Sequence, residues 1–436
     1  MINGPDISFA SQSSALTYND EFGHGTHMAG IIAGNDLYGS GANYPGDTND
    51  FIGVAPDAHI VNLKVGDENG VADVSQVIAA IDWADQHRND PNLNIRVLNL
   101  SFGTNSSQAY TLDPLAFAAE VAWRNGIVVV AAVGNNGAST AGLSDPAYDP
   151  YLLAVGAADT QATQATMDDT VAGFSSVGNG TRNPDLVAPG VHIASLRDPG
   201  SNIDLQYGAT ADVGTRLFRG SGSSMAAAVV SGAAADYLST HPSATPDQVK
   251  YAFTTSATSL ANQTRTAQGA GELNLASALT VKTSSGPGQM RQSFTSATGS
   301  GTLEAARGGA WATAGGIALT GEKDIFGNAW NSSVIASATS RGTAWSGGAF
   351  NGAAWSGAGW SGAGWSGAAW SGAAWSGAAW SGAAWSGSTW TGAGWSGAGW
   401  SGAAWSGAGW SGAGWSGAAW SGSAWSGADW SGADWS

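Results

Sequence analysis

Three short motifs in the sequence carry the residue types that acyl transfer requires. They are "HGTH" at residues 24–27, "VGNNG" at 133–137, and a pair of serines in the small and apolar stretch 220–235. A histidine beside a serine hydroxyl can act as its general base, and an asparagine amide can donate a hydrogen bond to a developing oxyanion. Each motif also has a structural interpretation, because the first two suit ordinary turns and the third suits a buried core helix. The combination of all three favours acyl transfer.

The serine pair is well placed for this chemistry if the stretch 220–235 is a helix. A serine in the first helical turn lies at the positive end of the helix dipole, and its own backbone N–H has no partner within the helix. The glycines that precede the pair would let a substrate backbone approach closely.

Alternating strand and helix patterns predict the elements that position these motifs. Asp73 and Asp113 are candidate N-caps, the second followed by proline. Short apolar runs separated by amphipathic segments predict a parallel sheet covered by helices on both faces, so functional side chains should lie at the carboxyl ends of the strands. The predicted strands are 59–65, 95–103, 126–135 and 152–158, and the predicted helices are 73–88 and 113–126.

The composition excludes several classes of function. The chain of 436 residues has a formal net charge of −17 and no cysteine. The negative charge argues against nucleic acid as a partner, and the absence of cysteine excludes disulfides and thiol catalysis. The apolar runs are too short to span a bilayer. The first ten residues lack the basic start and apolar stretch of a signal peptide.

The motifs and their order resemble those of the subtilisin-like serine peptidases. "HGTHMAG" is similar to the family's histidine motif, "GSSMAAA" to its serine motif and "VGNNG" to its oxyanion-hole segment. The resemblance implies His24 as the catalytic base, His27 as a structural residue, Ser224 as the nucleophile and Asn135 as an oxyanion donor. It also implies the family's three-layer α/β fold, with a parallel sheet between helices.

Weaker motifs extend the resemblance over residues 1–282, which we interpret as the peptidase domain. "LNLSFG" at 98–103 is similar to the segment that lines the family's substrate groove, and its matching residues are Ser101, Phe102 and Gly103. The resemblance therefore implies an endopeptidase acting on protein or peptide substrates, secreted or at the cell surface. "GVAPDA" and "NPDLVAPG" occur in the family's order.

The sequence departs from the family most seriously at the catalytic acid. The family carries an aspartate on its first core strand, a few tens of residues before the histidine, and this strand is missing here. The acids upstream of His24 are Asp6, Asp20 and Glu21, and none follows an apolar strand. Two explanations stay open, a start codon assigned too late or a degenerate, truncated gene copy. Smaller departures are Ser223 for threonine and Ala228 for proline.

Loss of the acid predicts that the chain is close to inactive. In subtilisin, removal of the acid alone lowers turnover on the order of 10⁴-fold. The alternative function is therefore a non-catalytic peptidase remnant whose C-terminal part does the binding.

The C-terminal third differs in composition from the peptidase-like region. Residues 283–342 are rich in small polar residues and predict a linker. Residues 343–436 are a low-complexity repeat of Trp-Ser-Gly-Ala-x, with Trp at every fifth position from 355 to 435. This repeat resembles pentapeptide repeats that coil into a square β-helix, and a flexible chain is the open alternative. Tryptophan faces beside hydroxyl groups suit cell-wall or glycan binding, or self-association.

No metal or cofactor is firmly predicted. The other four histidines lack metal-ligand spacing. Calcium is a possible cofactor, because Asp47, Asp50 and Asp67 lie in predicted loops, but no dense acidic loop of the EF-hand kind occurs.

Overall fold

The structure is a computed structural model. It describes residues 1–8, 11, 16–36, 50–139, 141–283, 291–314, 317–325, 327–346 and 348–354, and within 359–431 only the strands named below.

The region that resembles a peptidase alternates strands and helices, as its apolar patterns predicted. In chain order it contains β1 (Ile2–Asn3), α1 (His24–Ala33), β2 (Val61–Asn62), α2 (Val74–His87), β3 (Val97–Leu100), α3 (Pro114–Arg124), β4 (Val128–Ala132), β5 (Leu153–Asp159), β6 (Thr170–Val171), β7 (Leu186–Pro189), β8 (Ile193–Leu196), α4 (Asn202–Ala211), β9 (Asp212–Val213), β10 (Leu217–Gly220), α5 (Ser223–Thr240), α6 (Pro246–Ser256), α7 (Arg265–Gln268) and α8 (Leu275–Ala278).

A parallel sheet lies at the centre of this region and confirms the predicted α/β class. Strands β3, β4, β5 and β7 run parallel, with Leu98 paired to Val129 and Ala131 to Ala154. Every residue of β4 is buried, and both α3 and α5 contact this strand. Burial of both faces explains why β4 reads as a continuous apolar run.

The caps predicted for two helices are confirmed. Asp73 accepts a hydrogen bond from the Ser75 N–H and forms a capping box with Gln76 at the start of α2. Asp113 accepts from Leu115 N at 2.8 Å at the start of α3, where proline is the first helical residue. These side chains satisfy N–H groups that the helix itself leaves unpaired.

The sheet is divided into two parts in the described residues. Strand β1 pairs in parallel with β2, and this pair is not joined to β3 at the edge of the larger sheet. The apolar side chains of Val61 and Val97, on β2 and β3, are only partly buried. Strands β2 and β3 each keep an edge that no described strand covers.

The described residues between 291 and 354 pack against the peptidase-like region, although their composition predicted a linker over most of this stretch. Arg307, Ile335 and Trp345 are buried, and α9 and α10 contact the helices α2 and α3. The prediction failed here because a few large side chains, spaced far apart, supply the contacts. The elements are α9 (Leu303–Arg307), β11 (Thr313–Ala314), β12 (Ile317–Ala318), α10 (Ser332–Ser340), β13 (Trp345–Ser346), β14 (Ala349–Phe350) and β15 (Ala353–Ala354).

Short parallel strands follow in the repeat region. Paired residues lie 20 positions apart, as in the series Trp360, Trp380, Trp400 and Trp420. This spacing equals four five-residue repeats, which is what a coil with four repeats per turn produces. The strands are β16 (Gly359–Ser361), β17 (Trp365–Ser366), β18 (Ala369–Gly372), β19 (Trp375–Gly377), β20 (Ala379–Ser381), β21 (Trp385–Ser386), β22 (Thr389–Gly397), β23 (Trp400–Ser401), β24 (Trp405–Ser406), β25 (Trp410–Gly417), β26 (Trp420–Ser421), β27 (Trp425–Ser426) and β28 (Trp430–Ser431).

In the part of the chain that the structure describes, no helix combines the length and the apolar character needed to cross a bilayer.

Candidate active site

Ser224 lies in the first turn of α5, the longest helix of the peptidase-like region. The helix begins at Ser223 and its N-cap is Gly222. Ser224 keeps partial exposure, whereas most of the helix that follows it is buried. A hydroxyl at this position is reachable from solvent and lies at the positive end of the helix dipole.

Asn135 is joined directly to the start of this helix. Its Oδ1 accepts a hydrogen bond from the Ser223 N–H at 2.8 Å, and the Gly134 N–H donates to Ser223 Oγ at 3.2 Å. The turn after β4 is thus fastened to α5 by two hydrogen bonds. Asn135 is exposed, and its Nδ2 lies 3.5 Å from the place where a Cβ on Gly222 would be. The amide N–H groups of Asn135 therefore face the same helix start as Ser224.

Ser223 was not singled out by the sequence analysis, which treated it only as a mild departure from threonine. It is the residue that holds the asparagine turn, and it is 1% exposed. The one indication of this role in the sequence was that a hydroxyl is retained beside the predicted nucleophile.

The predicted substrate segment is also tied to α5. Ser101 Oγ donates to the backbone carbonyl of Ser224 at 2.9 Å, and Asn99 Nδ2 donates to Ser101 Oγ at 3.0 Å. Ser231, two turns along α5, donates to Asn99 Oδ1 at 2.9 Å. Ser101 and Phe102 are partly exposed and Gly103 is exposed, so this segment leaves the carboxyl end of β3 with its backbone accessible. Asn99 is a positioning residue that the sequence did not reveal.

A small serine packs against both the substrate segment and the asparagine turn. A Cβ on Gly134, whose φ is +99°, would lie 2.3 Å from Ser144 Oγ. A Cβ on Gly103 would lie 2.9 Å from the Ser144 Cβ. Close packing at Ser144 therefore requires glycine at both positions. The sequence around Ser144 carried no motif from which this contact could be inferred.

His24 is the first residue of α1, and the preceding Gly23 sets the direction in which the chain enters this helix. Gly23 has φ +96°, and a Cβ there would lie 2.4 Å from Ser201 Oγ, so the glycine of "GHGTH" is required by both conformation and space. Asp20 caps the helix, because its carboxylate accepts from Gly23 N at 2.8 Å and Thr26 N at 2.6 Å. His24 is partly exposed.

A separate apolar cluster brings the first turns of α1 and α5 together. Met28, one turn after His24, packs with Met225 and Ala228, which follow Ser224 on α5. The contact places the predicted base and the predicted nucleophile at the starts of two helices that pack on each other. Ala228, where the family usually has proline, is completely buried in this cluster.

His27 lies on the inner side of α1 and differs from His24 in its surroundings. It is 4% exposed, and its Nε2 lies 3.1 Å from the Phe218 carbonyl oxygen of β10. Burial lowers the pKa of His27, although this backbone contact opposes the shift.

Burial also lowers the pKa of the His24 imidazole below its usual value. The nearby Asp20 carboxylate opposes this shift, and His27 adds to it. The neutral imidazole is therefore favoured at neutral pH, and this is the form that accepts a proton as a general base.

The carboxylates upstream of His24 are all held by other partners. Asp6 is buried and accepts from Ser8 N, Ser8 Oγ and Tyr18 N. Glu21 forms a 2.5 Å ion pair with Lys64, and Asp20 caps α1. Among the described residues, no carboxylate is hydrogen-bonded to the His24 ring.

No site for the predicted calcium ion occurs among the described residues, because no three acidic or histidine side chains are grouped there to hold a cation. Asp47 lies outside them. Asp67 accepts from Asn69 N and Val71 N within its own turn.

The model of the subtilase family matches residues 8–271. Serine protease AprX of Bacillus subtilis strain 168 is 38% identical over 257 residues, which are 57% of this chain and 56% of that protein. Subtilisin DY of Bacillus licheniformis is 33% identical over 257 residues, 58% of this chain and 77% of that protein. The chain thus spans just over half the length of AprX.

Solved structures with detectable similarity include fervidolysin from Fervidobacterium pennivorans, described as a keratinolytic enzyme related to subtilisin. It is 29% identical, with a TM-score of 0.49, over 61% of this chain and 37% of that chain.

The contacts of Ser223 give a first prediction. Replacement Ser223→Ala should lower the free energy of unfolding by about 1 kcal/mol, because the Gly134 N–H loses its acceptor. Ser223→Thr should retain wild-type stability, since it keeps the hydroxyl. Chemical denaturation measures both, with Ser239→Ala near the exposed end of α5 as the control. Equal stability of the alanine and threonine variants would contradict the assigned contact.

Proposed function

Because the chain belongs to the subtilase family, we propose that it is a serine endopeptidase whose nucleophile is the Ser224 hydroxyl. His24 is the general base, and the Asn135 side-chain amide and the Ser224 N–H are the oxyanion donors. The observation that carries the proposal is the bond between Asn135 Oδ1 and Ser223 N. It leaves the amide N–H groups of Asn135 free to face the helix start that carries Ser224.

The proposed reaction is acyl transfer in two steps. Ser224 Oγ attacks the peptide carbonyl as His24 takes its proton, and the imidazolium then protonates the leaving amine. Water, deprotonated by His24, releases the acyl group. Donors that are already fixed before the reaction stabilise the oxyanion without reorganisation, and this is the largest contribution expected from such a site.

The proposed substrates are protein or peptide chains bound in extended form. The exposed backbone of Ser101, Phe102 and Gly103 can pair with such a chain as an added strand. Support comes from the Ser101 bond to the Ser224 carbonyl, since it links the pairing edge to the nucleophile. We also propose a secreted or cell-surface location, because the resemblance to the subtilisin-like peptidases implies one.

We propose further that His24 acts without the family's acid in this chain. Support comes from Asp6 and Asp20, which accept backbone hydrogen bonds, and from Glu21, whose Oε2 pairs with Lys64. An acid normally holds the imidazole in the correct tautomer and orientation, so turnover should be lower by about 10⁴-fold.

A second candidate function concerns the repeat region, and one observation favours it. Trp residues 20 positions apart are paired on neighbouring parallel strands, for example Trp370, Trp390, Trp410 and Trp430. We propose that this regular series binds cell-wall polymers or other glycans, because aromatic faces stack on sugar rings. The alternative function, a peptidase remnant that acts only through this region, requires the same binding.

Covalent labelling tests the peptidase proposal. A fluorophosphonate should label the full chain slowly but measurably at Ser224, since acylation needs only the nucleophile, the base and the oxyanion donors. Labelling should disappear in Ser224→Ala and persist in Ser221→Ala, a neighbouring exposed serine. Wild-type chain with no more label than Ser224→Ala would end the proposal.

The pH dependence of labelling tests the role of His24. The base must be neutral, so the rate should rise with pH and reach half its plateau below pH 6.5, because burial lowers the pKa of His24. This rise of the labelling rate with pH should vanish in His24→Ala. It should remain in His87→Ala, which replaces a histidine on α2. A half-maximal pH above 7 in the wild type would contradict the assignment.

Retention on insoluble cell wall tests the glycan proposal. The full chain should sediment with purified wall material, and replacement of the Trp residues between 360 and 430 by Ala should abolish sedimentation. Replacement of the serines that follow them is the matched control. Self-association alone would instead appear as concentration-dependent mass without wall material.

A further inference from the structure

The helix α9 lies beyond the region that matches the subtilase family, yet it contacts the loop that follows the proposed substrate segment. The Ala306 carbonyl accepts from Thr104 Oγ1 at 2.5 Å, and the Ala305 carbonyl accepts from Ser107 N at 3.1 Å. Thr104 directly follows Gly103 and is 3% exposed. The contact therefore adds to the two backbone hydrogen bonds with Asp145 that hold the chain where it leaves the substrate segment.

Two more contacts hold the same loop. Gln108 Oε1 accepts a hydrogen bond from Thr302 N at 3.0 Å, and Gln108 Nε2 donates to the Thr302 carbonyl at 2.9 Å. Gly308, with φ +57°, approaches so closely that a Cβ there would lie 2.1 Å from the Asn105 carbonyl oxygen. Only glycine fits this approach. Asn105 in turn accepts from Asn136, the neighbour of Asn135, at 3.4 Å.

The helix is itself anchored by a completely buried ion pair. Arg307 is 0% exposed, and its Nε lies 2.6 Å from Asp73 Oδ2. The other guanidinium nitrogens donate to the carbonyls of Gly321 and Lys323 at 2.6 and 2.5 Å, and one of them also lies 3.3 Å from Glu304 Oε2. Because Asp73 caps α2, Arg307 fixes α9 to a rigid part of the peptidase-like region. Removal of one partner from such a pair leaves an uncompensated buried charge, so the pair disfavours any arrangement that separates α9 from α2.

We infer that α9 positions the proposed substrate-binding edge, with Arg307 as the anchor and the Ala306 carbonyl as the contact to Thr104. The inference rests on the proposed function. If α9 were absent, Thr104 and Ser107 in the loop 104–108 would lose their hydrogen-bond acceptors. The edge at Ser101–Gly103 would then be displaced. Arg307 touches no reacting atom, so it is a positioning residue. Its loss should affect probes that pair with the edge and spare those that do not.

Two covalent probes of Ser224 separate these effects in the full chain. A small alkyl fluorophosphonate reaches the nucleophile without pairing, whereas a tripeptidyl diphenyl phosphonate must pair with Ser101–Gly103 before it reacts. The inactivation rate and the apparent binding constant KI are measured for each probe. Single-turnover labelling is suitable because it does not require efficient turnover.

The first variant is Asp73→Asn combined with Arg307→Met. It removes both buried charges, so neither is left unpaired, and asparagine still caps α2. The second is Thr104→Val, which deletes the hydroxyl that donates to Ala306. Arg341→Met, an exposed arginine of the same C-terminal stretch, is the matched control. Melting temperatures confirm that each variant is folded.

Both variants should raise KI for the peptidyl phosphonate about 10- to 100-fold, as expected for a displacement near 1 Å. The alkyl probe should label at the wild-type rate, and the control should match wild type with both probes. An unchanged peptidyl KI in both folded variants would overturn the inference, as would equal slowing of the two probes. Failure of the alkyl probe to label wild type at Ser224 would instead overturn the proposed function.

Discussion

The candidate site depends on the packing of two helix starts against each other. Met28 on α1 and Met225 and Ala228 on α5 form the shared apolar cluster. It packs together two helices whose first turns carry His24 and Ser224, which are 200 positions apart in the sequence. The polar contacts of Ser223 and Ser101 then add the asparagine turn and the substrate edge to the same helix. Apolar burial holds the two helix starts together, and hydrogen bonds orient the asparagine turn and the substrate edge on α5.

The fold was largely predictable because its strands and helices follow simple patterns. Continuous apolar runs predicted β4 and β5, and Asp73 and Asp113 predicted the starts of α2 and α3 within a residue. The positions of the candidate residues also followed from motifs. Their supports did not, because Asn99 and Ser144 act through contacts across the fold. Residue type alone does not reveal such partners.

The stretch after residue 283 shows where composition misleads. Small polar residues dominate it, and on average they favour a solvated linker. The described parts nevertheless pack on α2 and α3, because Arg307, Trp330 and Trp345 are buried there. Arg307 meets its partner across 234 positions of sequence. A single arginine in a polar stretch gives no indication of a partner that distant, since local patterns carry no information about long-range pairing.

The ion pair between Asp73 and Arg307 also has a consequence for the order in which the chain is made. Synthesis proceeds from the N-terminus, so the region resembling a peptidase leaves the ribosome well before Arg307 exists. Until then the Asp73 carboxylate has no guanidinium beside it, and loop 104–108 has no α9 to bind. Closing a loop of this length is entropically costly, although the cost grows only slowly with length. The nascent chain thus acquires the contacts between loop 104–108 and α9 only after Arg307 has been added.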